Sequence, residues 1–296
     1  MNSVGFIGAG VMGSGMIGSL QRGQWSVRIF DTDRTKVEEA VKRGSLGSDS
    51  VHDVATQETI ICLSLPGPQQ VEETVRQIVA AWTQADRHGI IVDFSTIDPM
   101  TAIGMEGVAR DSSGYYVEAP VSGGPQGAST GTLAIMVSGD KAIVDDLQPL
   151  LNTVGQNIYY VGAPGRAQLI KLCNNVVVGT TMAILGEATI LASQAGITPS
   201  SLLEILSKSV GNSRTLEVFG PHLVSGRFSP PTFALNLMVK DLGLYVKTAE
   251  EYRTPSVVGD LIFQIYRAAT MHDAGALDHS AVVKVLEEMG NVAIHR

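Results

Sequence analysis

Val4-Gly5-Phe6-Ile7-Gly8-Ala9-Gly10-Val11-Met12-Gly13 is a short β-rich run, then glycines at 8, 10 and 13, then the start of a helical periodicity over Val11–Gln21. A strand feeding a helix through that spacing has a physical reading. The first glycine permits the tight turn, the second lets the backbone approach a diphosphate, and the third lets helix and strand pack closely. Unpaired N–H groups and the dipole at the helix start then favour phosphates. A second β-rich run, Ser26–Phe30, ends in Asp31, 21 residues after Gly10. A carboxylate there accepts hydrogen bonds from both hydroxyls of an adenosine ribose and repels a 2′-phosphate. Gly8, Ala9, Gly10, Val11, Met12, Gly13 and Asp31 are therefore expected to bind a dinucleotide, NAD in preference to NADP. Arg34, just beyond, is the residue that can welcome a 2′-phosphate, so NADP stays open. The plain alternatives are a structural turn or another nucleotide site, such as a methyltransferase loop, at the glycines and a helix cap at Asp31.

Outward from this unit the β-type runs continue at Thr59–Leu65, Gly89–Asp93, Tyr115–Glu118, Leu133–Val137 and Asn157–Val161. Between most of them lie helical patterns such as Gln69–Ala81 and Met100–Arg110. That alternation predicts an α/β fold, a Rossmann-type doubly wound sheet with helices on both faces. After Gly162 the β-type runs stop. Pro164 opens a helical pattern that passes Lys171, Ala183 and Glu187 and ends at Gly196, a rod of about 45 Å. Thr198-Pro199 starts another helix, and Leu242–Tyr252, Pro255–Met271 and Ser280–Gly290 read as helices too. The expected organisation is a dinucleotide-binding domain over 1–162 and an all-α C-terminal domain over 163–296, with a long connecting helix over about 164–195.

Composition narrows the function classes. The 296 residues are 44% hydrophobic and only 5% aromatic, so aliphatic side chains must do most of the packing. The net charge of -8 is spread along the chain without a basic stripe, which argues against nucleic acid and against an anionic membrane surface. Cys62 and Cys173 sit in apolar surroundings without ligand spacing, so both are expected to be buried reduced thiols and no metal is expected. No charged leader precedes Val4, and the longest apolar run, Val176–Leu185, is too short to span a bilayer. The expectation is a soluble, cytoplasmic protein.

The glycine loop continuing into Ser14-Gly15-Met16 resembles the β-hydroxyacid dehydrogenase family, which includes 3-hydroxyisobutyrate dehydrogenase and tartronate semialdehyde reductase. Three further segments carry the resemblance over nearly the whole chain. Glu118-Ala119-Pro120-Val121-Ser122-Gly123-Gly124, with Gly127 and Gly131-Thr132-Leu133, looks like the family's substrate-binding signature, although its first position is more often Asp. Gly165, Lys171, Asn174 and Asn175 look like the catalytic helix motif. Lys240-Asp241-Leu242, after Phe233 and Leu237, looks like the C-terminal motif that closes over nicotinamide and substrate.

The resemblance implies hydride transfer between a nicotinamide cofactor and a small β-hydroxy acid or semialdehyde. Lys171 and Asn175 are four residues apart, so on a helix they share a face one turn apart. Oxidising an alcohol needs a base for the hydroxyl proton, and reduction needs the corresponding acid. A lysine serves both if partial burial and nearby positive charge bring its pKa toward neutrality. Asn175 can orient the substrate without adding a titrating group. Ser122, Gly123 and Gly124 would cradle the acid's carboxylate through a hydroxyl and exposed N–H groups. Thr96 resembles the position touching the nicotinamide ribose, Leu65 and Pro66 line the cofactor crevice, and Lys240 contacts cofactor or substrate. The bland readings are a helix cap for Thr96, packing for Leu65-Pro66, a tight turn for 122–124 and surface charges for the two lysines.

Within the same architecture, 6-phosphogluconate dehydrogenases typically have His where this chain has Asn174 and carry a much larger helical domain. Imine reductases usually lack the lysine. The open alternatives are an NADPH-preferring glyoxylate, succinic or tartronate semialdehyde reductase and, from another class, a non-catalytic nicotinamide-binding regulator. Asn212, Phe233 and Asn236 are further candidates near the pocket. A homodimer or homotetramer is expected by family resemblance, with the long helix as interface.

Overall fold

The computed structural model describes residues 2–271 and 274–294. The chain forms two compact units, Met1–Lys171 and Leu172–Arg296. Among the described residues of the first unit, nine strands form one sheet. They are β1 (Ser3–Ile7), β2 (Ser26–Phe30), β3 (Leu46–Gly47), β4 (Ile60–Leu63), β5 (Ile90–Asp93), β6 (Tyr115–Glu118), β7 (Val121–Ser122), β8 (Leu133–Ser138) and β9 (Gly155–Gly162). The order is β3-β2-β1-β4-β5-β6-β8-β7, with β9 beside β8. Pairing is parallel from β3 to β6, antiparallel where β8 meets β6 and β7, and parallel again between β8 and β9.

The parallel strands are joined by α1 (Val11–Arg22), α2 (Arg34–Lys42), α3 (Val51–Gln57), α4 (Pro68–Gln84) and α5 (Pro99–Asp111). Shorter helices α6 (Gly124–Thr130), α7 (Lys141–Asp146) and α8 (Gln148–Val154) serve the mixed edge. Alternation along each strand supplies two cores. Phe6, Cys62 and Val92 pack with Met16, Leu20 and Ile29. Their neighbours Ile7, Ile61, Leu63 and Ile91 pack with Val75, Ile78 and Trp82. A strand buried on both faces is apolar at consecutive positions, as these sequences are. The strand order turns back at β1, with β2 on one side and β4 on the other, which makes the β1/β4 crevice the topological switch point.

Helix α9 (Arg166–Gln194) is continuous for 29 residues, starting in the first unit and running into the second. The second unit adds α10 (Pro199–Ser207), α11 (Arg214–Ser225), α12 (Leu235–Glu251), α13 (Val257–Thr270) and α14 (Val283–Gly290). Its core gathers Met182, Leu185, Leu203, Leu223, Leu235, Met238, Leu242, Tyr266 and Leu286. The α10 start is as expected, with Thr198 accepting from the Ser201 N–H and Pro199 in the first turn.

Several expectations need correction. The run Thr59–Leu65 pairs only over Ile60–Leu63, because Leu65 N–H turns away to Ser95 Oγ. Cys62 is buried, and burial pushes its thiol up, but Cys173 is exposed, because α9 is apolar around much of its circumference. For the same reason α9, with a mean hydropathy of 1.6 over its most apolar 18 residues, is long and apolar enough to cross a membrane by length and composition, whereas the run Val176–Leu185 alone is not. Its Met182, Ala183 and Leu185 are buried in the second unit's core.

Candidate active site

The glycine loop lies at the C-terminal end of β1, and each glycine there has a reason. Gly8 has φ +97°, and a Cβ on it would stand 2.3 Å from Ser64 O. A Cβ on Gly13 would stand 2.0 Å from Gly8 O, so close packing of α1 on the turn excludes a side chain. Gly10 differs: nothing in the protein lies within 4 Å of its would-be Cβ. Open space above a glycine that the fold itself does not require is what close approach of a diphosphate would use. Gly10 also caps α1 without a side-chain hydrogen bond, leaving first-turn N–H groups for a ligand. The residues present thus fit a dinucleotide.

Asp31 follows β2 and is buried. Its Oδ2 accepts the Ala9 N–H at 2.7 Å and its Oδ1 accepts the Asp33 N–H at 2.8 Å. One carboxylate therefore ties the glycine loop to the turn after β2. The helix-capping alternative belongs instead to Asp33, which accepts the Thr35 N–H and which its Thr35 hydrogen bonds hold below the usual carboxylate range. Arg34 is paired with Asp49 at 2.7 Å, and Lys36 Nζ stands 3.8 Å from Asp31.

The remaining first-unit candidates also sit after strand ends. Leu65 and Pro66 follow β4, with Leu65 N–H donating to Ser95 Oγ at 2.9 Å. Thr96 follows β5 and is half-buried. It does not cap α5; Asp98 does, accepting the Thr101 N–H at 2.9 Å. Ser122 ends β7, and Gly123 and Gly124 follow at φ +133° and +64°. Positive φ at both positions is a backbone conformation that favours glycine.

Lys171 is buried, at 8% exposure, so the surface-charge reading does not hold. It closes the first unit on α9, and Asn175 follows one turn later in the second. Asn175 is buried, and its Nδ2 donates to Asp241 Oδ2 at 2.5 Å while its Oδ1 accepts from Asn174 at 2.9 Å. Lys240 is partly buried, its Nζ 3.0 Å from Asp241 Oδ1. Sequence reasoning missed Asp241 as a functional residue. The only signal was its place in Lys240-Asp241-Leu242, since its partner is 66 residues away. Of the other candidates, Asn212 is exposed and bonded to Glu217, Asn236 is exposed, and Phe233 packs edge-on to His279.

Glu118 and Asp278, outside this set, also carry shifted titrations. Glu118, buried at the end of β6, is pushed up to about 7 by burial, against hydrogen bonds from Gly165 N–H, Ser138 and Gln168 N–H. In the second unit Asp278 is held at about 2: burial raises it, but hydrogen bonds from Ser280 and Thr232 outweigh that. Ser280, His222 and Asp278 superficially suggest a nucleophile relay. The same ring nitrogen, His222 Nδ1, faces both Ser280 Oγ at 2.9 Å and Asp278 Oδ1 at 3.2 Å, and Ser280 is fully buried. A relay needs the two partners on opposite ring nitrogens, so this cluster is structural. No group of three or more potential metal-binding residues occurs among the described residues.

Residues 3–162 match the family described as the NAD binding domain of 6-phosphogluconate dehydrogenase, and 165–286 match the NAD-binding domain of NADP-dependent 3-hydroxyisobutyrate dehydrogenase. The 2-(hydroxymethyl)glutarate dehydrogenase of Eubacterium barkeri is 35% identical, over 98% of this chain and 97% of the relative. The 2-hydroxy-3-oxopropionate reductase of Escherichia coli K12 is 32% identical, over 97% and 98%. The structure of Mycobacterium tuberculosis 3-hydroxyisobutyrate dehydrogenase with L-serine superposes with a TM-score of 0.88 at 29% identity, covering 97% of this chain and 99% of that one. Glycine loop, strand-end turns, buried lysine and matched relatives agree: the chain belongs to the β-hydroxyacid dehydrogenase family and is an NAD(P)-dependent oxidoreductase acting on CH–OH groups.

Proposed function

We propose that the protein interconverts a small β-hydroxy acid, of the type of 3-hydroxyisobutyrate, and its semialdehyde, with NAD as the preferred cofactor. The observation that carries the chemistry is the buried Lys171, one helical turn from an asparagine whose amide is fixed by Asp241. When bound, the nicotinamide supplies the hydride acceptor or donor. Lys171 Nζ takes the proton of the 3-hydroxyl during oxidation and returns it during reduction. Asn175 holds that oxygen in place, and Asp241 fixes which way the amide points. Ser122 and the N–H groups of Gly123 and Gly124 hold the substrate carboxylate.

The preference for NAD rests on Asp31. A buried carboxylate beside the ribose position repels a 2′-phosphate, and the nearby arginine is already paired with Asp49. Gly8 to Gly13 hold the diphosphate, Leu65, Pro66 and Thr96 line the crevice, and Lys240 contacts the cofactor. The division into a dinucleotide-binding domain over 1–162 and a helical domain over 163–296, and a cytoplasmic location, are part of the same reading. A homo-oligomer is proposed as well, since Val177, Ile184 and Leu191 repeat at seven-residue spacing on α9 with exposures of 63%, 55% and 73%.

The test is a panel of 3-hydroxyisobutyrate, glycerate, L-serine, threonate and 2-(hydroxymethyl)glutarate with NAD and with NADP, read at the reduced-nicotinamide band. The corresponding semialdehydes, and for threonate the 3-oxo acid, are run in reverse. Turnover of at least one member with NAD favoured supports the proposal. Turnover of tartronate semialdehyde with NADPH favoured would replace the substrate and cofactor parts of it.

A further inference from the structure

Gln168 lies in the first turn of α9, three residues before Lys171, and is fully buried. A buried primary amide is costly unless both its ends are satisfied. Here they are, by one short piece of backbone. Gln168 Oε1 accepts the Ile97 N–H at 3.1 Å, and Nε2 donates to the Ser95 carbonyl at 3.1 Å. These groups flank Thr96, so the side chain grips the backbone on both sides of that residue, much as a neighbouring strand would. Ser95 extends the connection: its N–H donates to Asp93 Oδ1 at 2.9 Å, and its hydroxyl accepts the Leu65 N–H at 2.9 Å. On the helix side, Glu118 accepts the N–H of Gly165 at 2.5 Å and of Gln168 at 3.3 Å. The start of α9 is thus bonded to the ends of β5 and β6 and, through Ser95, linked to the end of β4.

We propose that Gln168 is a positioning residue for the reaction, fixing the axial and rotational register of α9 so that Lys171 is presented correctly relative to Thr96. The proposal rests on the roles given above to Lys171 and Thr96. Residues 168 and 171 share a helix face, so a clamp on one fixes the other. A slip of one residue would rotate Lys171 by about 100° and move it about 1.5 Å along the axis. Errors of about 1 Å in placing a reacting group can cost on the order of 10²-fold. A methionine of similar length would fill the same space without gripping anything.

The experiment compares the full-length wild type with Gln168→Met, Gln168→Glu and Lys171→Ala, using the panel acid that the wild type oxidises fastest with NAD. Circular dichroism confirms that each enzyme is folded at each pH, and NADH fluorescence gives cofactor affinity. Gln168→Met is expected to lower kcat by about 10- to 100-fold with NADH affinity within about threefold. Gln168→Glu is the rescue. A protonated carboxyl donates and accepts as the amide does, whereas an ionised one sets a negative oxygen against the Ser95 carbonyl. Its kcat, as a ratio to wild type, should therefore rise as pH is lowered from 8.5 to about 5.5. Glu118 and Asp93, the carboxylates bonded to this network, and Lys171 are common to both enzymes, and the ratio is taken to remove their shared titrations.

A folded Gln168→Met enzyme with kcat within about twofold of wild type overturns the proposal, as does a Gln168→Glu ratio that is flat with pH. If Gln168→Met does not fold, the Gln168→Glu ratio decides alone. Full activity in Lys171→Ala instead defeats the underlying assignment, whatever the Gln168 variants do.

Discussion

Asn175 Nδ2 donates to Asp241 Oδ2 at 2.5 Å, joining α9 to α12 across 66 residues of chain. An asparagine amide has a donor end and an acceptor end of nearly equal shape, and only its partners decide which way it faces. Asp241 accepts only, so it fixes the NH2 group toward itself. Asp241→Asn removes that preference while keeping the volume. We expect kcat/KM for the hydroxy acid to fall by about 10- to 100-fold with little change in NADH affinity. Steady-state kinetics with NADH fluorescence titration checks this, and an unchanged kcat/KM would separate Asp241 from the site.

Asp31 makes a second long-range connection, accepting the Ala9 N–H at 2.7 Å. Asp31→Ala removes an acceptor for the glycine loop and for the ribose hydroxyls together. Hydrogen bonds to charged groups are worth about 1.5–3 kcal/mol, so kcat/KM with NAD should fall on the order of 10- to 100-fold. Activity with NADP, which gains nothing from the carboxylate, should fall less. The ratio of the two cofactors' kcat/KM values reads the effect. A ratio that stays constant would mean that Asp31 does not discriminate between them.

The Glu118 carboxyl gives a stability prediction with a definite sign. Its folded pKa of about 7 lies above the usual 4.5, so between those values the folded state holds a proton that the unfolded state has released. Stability from that proton is fully present below about pH 4.5 and is lost as pH rises through 7. The shift corresponds to about 3 kcal/mol. Glu118→Gln abolishes the titration, so its stability relative to wild type should rise between pH 5 and 8 in urea unfolding. Parallel pH profiles for the two proteins would contradict the assignment.

The exposed apolar repeat on α9 predicts association. Leu191→Glu with Ile184→Glu should shift the solution mass, read by light scattering after gel filtration, toward that of the 31.3 kDa chain. A wild type already at that mass would remove the proposal.

The first βαβ unit was legible because local rules overlap there: glycine spacing, strand alternation and the terminal Asp31 point to one geometry. The two-residue strands β3 and β7 were not, since two residues carry no periodicity. Cys173 was misplaced because a helix rich in apolar residues does not show which of its faces is covered. Lys171, Asn175 and Ser122 to Gly124 stand out as candidates because each lies in a local motif. Asp241 and Gln168 were missed as partners because their meaning lies in contacts 66 and 71 to 73 residues away, which no local pattern encodes.

The central claim is that Lys171 moves the proton of the substrate hydroxyl. Lys171→Ala, assayed with the best panel acid and NAD, is expected to lose kcat by about 10²–10⁴-fold while NADH affinity and thermal stability stay near wild type. A Lys171→Ala enzyme that binds NADH normally and turns over at the wild-type rate would contradict it.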